Sequence, residues 1–361
     1  MAQKNKWINL QHIHCEGSLF TADLIDLISK DSAPAQGKEG YGLPSTISIM
    51  DEIGQSYKKA IGLYSDYQLK LKRANADTLA VTRDFICRFL SNCLGWNIEN
   101  VTKLDAGGKG FPIRRQAYGR VPIAVVSGEN SLDRADSYFS ITNGLKNVSP
   151  FSMMQQYLSA AGDSRWGLVA SGKMIRLLRS STSLSKPEYL EFDLGAILSD
   201  DFYNEYAVLW KILHVSRIRD TSDGTDLEIW EEWKNTSISN GERARDRLRV
   251  GVERAIVIFA NGFLSNRANT GLQEEISSGR LSATEYFHEL LRLCYRILFL
   301  SVIEERYSEN GIRLVFDPDS GQSQRDIYEK GYSLARLRGM MRKKSFRSVY
   351  HYDLWEAMKI T

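Results

Sequence analysis

Residues 149–179, SPFSMMQQYLSAAGDSRWGLVASGKMIRLLR, constrain the fold more than any other stretch of this chain. They read as a helix, a short polar turn, a strand beginning at Trp166, a Gly turn at Gly172 and a second strand rich in Leu and Arg. A helix feeding a hairpin in this way belongs to a mixed α/β region, which extends over residues 101–198. Further strand candidates there are 97–104, 121–127 and 189–192, with glycine turns at Gly107 and at Ser127-Gly128.

Helical patterns dominate on either side. Residues 19–29, 49–73 and 75–94 carry apolar residues at helical spacing, and Gly95 ends the last of them. A Gly/Pro/Ser-rich loop separates the first two. Near Phe202 the strands stop, and residues 202–215, 227–234, 242–264 and 284–307 read as helices. Ser282 and Glu285 form a capping-box pattern, and a basic helix spans about 332–344. The expected class is α+β, with segments 1–72 (N-terminal helices), 73–200 (mixed sheet) and 201–361 (helical). No internal repeat is found.

Length and composition set broad limits. The 361 residues are enough for two cores, and 25% charged with 43% hydrophobic residues is ordinary for a globular protein. A net charge of +3 excludes bulk charge as a guide to partners, so a nucleic-acid surface requires local clustering. Cys15, Cys87, Cys93 and Cys294 form no CxxC or zinc pattern and suit buried free thiols in a reducing cytoplasm. The N-terminus has no apolar core of a signal peptide, and residues 290–303 are too short and too Arg-interrupted to span a bilayer.

Two kinds of cluster could carry chemistry. His12 and His14, followed by Glu16-Gly17-Ser18, resemble the start of an amidohydrolase zinc site, because both imidazoles of an HxH lie on one side of a strand. That family needs later His and Asp ligands in a β/α barrel, and only His214, His288 and His351 remain, in helical or C-terminal surroundings. No metal ligand is therefore assigned. The basic clusters point elsewhere. Arg114, Arg115 and Arg120 flank the mixed region, and Lys173, Arg176 and Arg179 alternate along the hairpin. Arg336, Arg338, Arg342, Lys343 and Lys344 crowd the last basic helix with nearly no acid nearby. Such cations can displace counterions from phosphate, and these eleven are the candidate nucleic-acid contacts. The Arg run at 243–249 is partly neutralised by Glu242, Asp246 and Glu253 and reads as a solvated helix face.

The 149–179 stretch resembles the closing part of a restriction-nuclease-like core. So do longer segments taken together: EGSLFTADLIDLI from Glu16, VPIAVVSGENSLDR from Val121, and EYLEFDLGAIL from Glu188. ERARDRLRVGVERAI from Glu242 and SGRLSATEYFHELLRLCYRILFLSVIEER from Ser278 extend the likeness. Nearly the whole chain resembles the N-terminal region of large bacterial adenine-specific DNA methyltransferases, related to type IIG restriction-modification enzymes and DISARM-type antiviral systems. The resemblance implies a degenerate restriction-endonuclease-like mixed sheet with N-terminal helices, then an all-α helical connector. It also implies double-stranded DNA as a partner, and a methyltransferase domain using S-adenosylmethionine, in cis or as a partner subunit. The chain ends about where such a protein would enter that domain, as a shortened chain or a split-gene product would.

Active nucleases of this class carry an Asp at one strand end and (Asp/Glu)-x-Lys on the next strand, where the carboxylates hold Mg²⁺ and the Lys helps activate water. After the strand candidate at 121–127 the chain has Gly128-Glu129-Asn130-Ser131, with Ser131 where the Lys belongs. Glu129 and Asp133 are the remaining acidic candidates. Glu232-Trp233-Lys234 fits the spacing but lies in a helical pattern. Walker A, GxGxxG, GxSxG and Asn-Pro-Pro-(Tyr/Phe) motifs are all absent, so this chain is not expected to methylate DNA by itself. The reading is a catalytically silent DNA-engaging module. An active metal-dependent endonuclease and a protein-binding scaffold are the alternatives.

Overall fold

The computed structural model describes residues 10–17, 19–128, 130–162, 165–180, 188–200, 202–218, 229–306, 313–317, 319–343 and 353–361. Two compact units result, Met1–Glu242 and Arg243–Thr361. The first opens with strand β1 (Ile13–Glu16) and helices α1 (Ala22–Ser29), α2 (Lys38–Tyr41), α3 (Ile49–Leu71) and α4 (Thr78–Leu94). Five short strands follow: β2 (Ile98–Asn100), β3 (Leu104–Ala106), β4 (Lys109–Phe111), β5 (Arg115–Ala117) and β6 (Val121–Val125). Helix α5 (Pro150–Ala160) leads to β7 (Trp166–Ala170), β8 (Met174–Arg179) and β9 (Tyr189–Asp193). Then come α6 (Leu194–Ser199), α7 (Tyr203–Leu213) and α8 (Ile229–Ser265), within which the unit boundary falls. The second unit continues with α9 (Thr270–Ser277), α10 (Ala283–Glu305), α11 (Gln322–Gly331), α12 (Leu334–Arg342) and α13 (Asp353–Ile360).

The expected α+β class is the observed one. Seven strands form a mixed sheet in the order β1-β9-β8-β7-β6-β5-β2, with β3 and β4 as a separate hairpin. Strands β6 and β7 run parallel, and the other neighbours run antiparallel. A parallel pair needs a crossover connection, and α5 lies in it. Ser149 caps α5 by accepting from the Ser152 N–H, and Pro150 occupies the first turn, where its missing N–H costs nothing. Asp77 caps α4 by accepting from the Ala80 N–H, and Gly95 closes it at φ 77°. The β3–β4 turn places Gly107 and Gly108 at φ 55° and 72°, the mirror-image tight turn that matches strand twist.

Side-chain alternation sorts the sheet into two packed faces. Ile123, Val125, Leu168, Ile175, Leu177, Leu190 and Phe192 face the cluster shared with α1, α3, α4 and α7. Ala124, Val126, Val169 and Leu178 face the cluster shared with α5. Every residue of β6 and β7 is buried, as expected for strands covered on both sides.

Residues 10–72 are therefore not a separate segment: β1 is the outer strand beside β9, and α1 and α3 pack into the same core. Nor does the unit end near residue 200. Trp230 and Trp233 of α8 are fully buried in that core beside Trp96, Trp166 and Trp210. Each of these five indoles donates a hydrogen bond. Trp96 reaches the Leu213 carbonyl at 2.7 Å, Trp210 the Cys93 carbonyl at 3.1 Å and Trp230 the Ile212 carbonyl at 2.7 Å. Trp233 reaches the Pro34 carbonyl at 3.0 Å and Trp166 the Glu231 carboxylate at 3.2 Å. Burying such large rings with their N–H satisfied favours folding strongly and joins residues 229–234 to the sheet unit. The helices expected at 227–234 and 242–264 are parts of one helix, α8, where described.

The named elements of the second unit are helices. Ile256 packs with Leu290 and Cys294, and Leu334 and Leu337 with Ala357. The capping box at Ser282–Glu285 is present with both of its hydrogen bonds. Cys93 and Cys294 are buried free thiols, whereas Cys15 and Cys87 are half-buried. No helix among the described residues is long and apolar enough to cross a membrane.

Candidate nucleic-acid interface

The hairpin cations separate into used and unused charges. Arg176 is 4% exposed and stands mid-strand on the α5 face. Cross-strand pairing sets Glu191 of β9 opposite it, and Arg176 donates to that carboxylate from Nε at 2.7 Å and from Nη2. Its guanidinium also forms a two-pronged pair with Asp133, at 2.7 and 3.0 Å. The rings of Phe151 and Tyr189 lie 4.7 and 4.1 Å from the guanidinium carbon. Arg176 is thus an internal tie between the β6–α5 connection, β8, β9 and α5, not a surface contact as expected.

Arg179 is likewise engaged. Its Nε donates to Glu231 at 3.0 Å, and its Nη2 bonds the other oxygen of the same carboxylate. Burial alone would raise the Glu231 pKa, but Arg179 and the Trp166 indole outweigh it and hold that carboxyl below its ordinary range. Arg120 is half-buried and donates to the Ile218 carbonyl at 2.7 Å. Lys173, in the β7–β8 turn, is exposed with its stem beside Gly195. Arg114 is exposed, 5.9 Å from the centre of the Tyr138 ring, and Arg115 is half-buried on β5, one strand in from the sheet edge at β2.

In the second unit the basic cluster is divided too. Arg336 is half-buried, with its Nη1 enclosed and without a hydrogen bond. Arg338 is exposed and pairs with Glu305 at 3.0 Å. Arg342 and Lys343 are exposed at the end of α12, and Lys344 lies outside the described residues.

The acidic candidates do not assemble into a hydrolytic site among the described residues. Strand β6 contributes only Val, Pro, Ile and Ala, with Ala124 and Val126 on one face and Ile123 and Val125 on the other. Asp133 is committed to Arg176, and Glu129 lies outside the described residues. Glu232-Trp233-Lys234 is helical, with Trp233 in the core and Lys234 bonded to Glu188.

The two histidines lie at the opposite sheet edge from β2. His12 rests on the Phe202 ring, and its Nδ1 is 3.4 Å from Glu205, whose carboxylate accepts from the Gln11 and His12 N–H groups at 2.9 Å. His14 is exposed and stands opposite Glu191. No three His, Cys, Asp or Glu side chains among the described residues converge as a metal would require. Glu205 and Glu231, which anchor β1 and β8, are helix residues outside any strand-borne motif; their place next to Tyr206 and Trp230, aromatic residues of the core, was the available signal. No family model, curated protein or solved structure matches this chain.

Proposed function

We propose that the first unit is a restriction-endonuclease-like platform without hydrolytic chemistry, which engages double-stranded DNA on behalf of an adenine-specific methyltransferase. That methyltransferase is a domain in cis or a partner subunit, and S-adenosylmethionine supplies its methyl group there. The setting is a cytoplasmic restriction-modification or DISARM-type phage-defence system. The second unit is the helical connector of this assembly. An antiparallel run of β2, β5 and β6, followed by α5 and a strand parallel to β6, supports the nuclease-like reading.

The observation that carries the proposal is strand β6. An acid-x-Lys pair of an active nuclease presents two charged side chains to a metal and water, whereas β6 is buried and apolar at every position, Ser131 beyond it stands where the lysine belongs, and Asp133 is committed to Arg176. Arg114 and Lys173 remain exposed on the same unit and suit contacts with phosphate rather than hydrolysis.

The test uses the full chain, supercoiled plasmid and Mg²⁺ or Mn²⁺, alongside retention of a labelled duplex at low salt. Salt-sensitive retention without strand cleavage is expected. Metal-dependent cutting abolished by Glu129→Ala or Asp133→Ala would establish the endonuclease instead. No retention even at low salt would leave the protein-binding scaffold.

A further inference from the structure

A recess of about 420 Å³ opens between α4 and the β2–β5 edge, lined by Arg83, Asp84, Cys87, Ser91, Asn100 and Arg115 among others. Its volume lies within the usual range of small-molecule sites, about 300–1,000 Å³. Two periodicities build it. Residues 80, 83, 84, 87 and 91 share one face of α4, opposite the face that buries Phe85, Phe89 and Cys93. On the sheet, Asn100 and Arg115 are direct cross-strand partners, with Ile98 two residues along on the same side.

Charge distinguishes this recess from the ion-paired cations of the unit. Arg176, Arg179, Lys211 and Lys234 each hold a carboxylate. Arg83 and Arg115 do not: Arg83 reaches only the Tyr138 hydroxyl at 3.5 Å, and Arg115 donates to the Arg114 carbonyl at 2.8 Å. The lining carboxylate, Asp84, is taken by Arg88 at 3.0 Å and Lys70 at 3.4 Å. Two guanidinium groups therefore face one concavity whose single lining carboxylate is ion-paired elsewhere. Concave walls concentrate such a field, and planar guanidinium forks match the oxygens of a phosphate. Asn100 and Ser91 add neutral hydrogen-bonding groups to the wall.

We propose that this recess is a phosphate-binding site that grips the backbone of a DNA strand at the β2 edge. Arg83 and Arg115 are its ligands, and Arg114 with Tyr138 forms a basic, aromatic shoulder. The choice of DNA over a free phosphate compound rests on the function proposed above; the phosphate chemistry itself does not.

The experiment compares the full chain with R83Q/R115Q, and with R83K/R115K as the charge-preserving control. Duplex affinity is measured by anisotropy against salt concentration, and N-ethylmaleimide labelling of Cys87 is followed by mass spectrometry with Cys15 as internal reference. Loss of two phosphate contacts lowers the slope of log affinity against log salt by about 1.8, taking about 0.9 per phosphate, and the Lys pair retains most of it. DNA and pyrophosphate both slow Cys87 labelling in the parent but not in R83Q/R115Q. Near-ultraviolet circular dichroism verifies folding of each variant. Duplex binding with an unchanged slope in R83Q/R115Q and no protection of Cys87 overturns the site while leaving the DNA reading intact. Protection by pyrophosphate alone retains the site and removes DNA as its ligand. No protection by either compound overturns the phosphate site, and duplex affinity then judges the DNA reading separately.

Discussion

Replacing Arg176 by Met separates an internal tie from a DNA contact. Methionine retains much of the stem that lies against Phe151 and Tyr189 but removes the charge. Glu191, 15% exposed in its side chain, then loses its cation. Breaking a buried pair by removing one partner costs about 3–5 kcal/mol. Asp133 is 58% exposed and rehydrates, so its share is that of a surface pair, about 0–1 kcal/mol. A total near 4 kcal/mol, with a urea dependence of about 3 kcal/mol per molar, moves the unfolding midpoint down by roughly 1.3 M. Urea titration read by tryptophan fluorescence is well placed to detect it, because Trp96, Trp166, Trp210, Trp230 and Trp233 all lie in the core of this unit. Asp133→Asn costs far less, and R176M/E191L recovers most of the loss because an apolar pair replaces a severed one. A midpoint for R176M within about 0.3 M of the parent, together with weakened duplex retention, would refute the internal role and restore Arg176 as a phosphate ligand.

Glu231→Gln should flatten the acid side of the stability profile. A carboxyl held below its ordinary pKa, about 4.3, contributes stability that is full above that value and is lost as pH falls through the folded-state pKa. Melting curves recorded between about pH 3 and 6 that run parallel for parent and variant would contradict the Arg179 tie. Burial raises the Cys15, Cys87 and Cys93 thiols, Cys93 up to about 11, and only Cys93 of the three is enclosed, so iodoacetamide at neutral pH should label Cys87 and Cys15 slowly in the native protein and reach Cys93 only on unfolding; equal native rates for all three would contradict the packing. Ser282→Ala removes the cap of α10 and should cost about 1 kcal/mol, read as a lower thermal midpoint of the second unit. An unchanged midpoint would show that this cap adds nothing there.

Local chemistry made much of the fold legible. The Gly95 stop and the Ser282–Glu285 box act over a few residues, and both appear where the pattern places them. The strands at 166–170 and 174–179 are equally clear, because each is a run of five or six residues with large aliphatic side chains, bounded by turns. Strands of three residues were not. The expected strand at 97–104 is in fact β2 and the start of β3, which belong to different sheets. Nor was the place of β1, whose partner β9 lies far along the chain, so no local period records it. The same distance hid the fate of the hairpin arginines. Alternating Arg176 and Arg179 look like a free basic strand until Asp133, Glu191 and Glu231 arrive from elsewhere. The recess remained unread because Arg83 sits inside a helix whose apolar stripe drew attention to the other face.

The dryness of β6 has an evolutionary side. A carboxylate placed at Ala124 would press against Val169 in the sheet interior, where a proton is retained and an ion costs several kcal/mol. A lysine two positions on would meet the same barrier at Val126. Neither change helps without the other, and each alone consumes much of a typical stability margin of about 5–15 kcal/mol. Exchanges among aliphatic side chains are therefore the changes this strand accommodates at least cost, and a charged centre here would need its surroundings to become wet before either side chain could ionise.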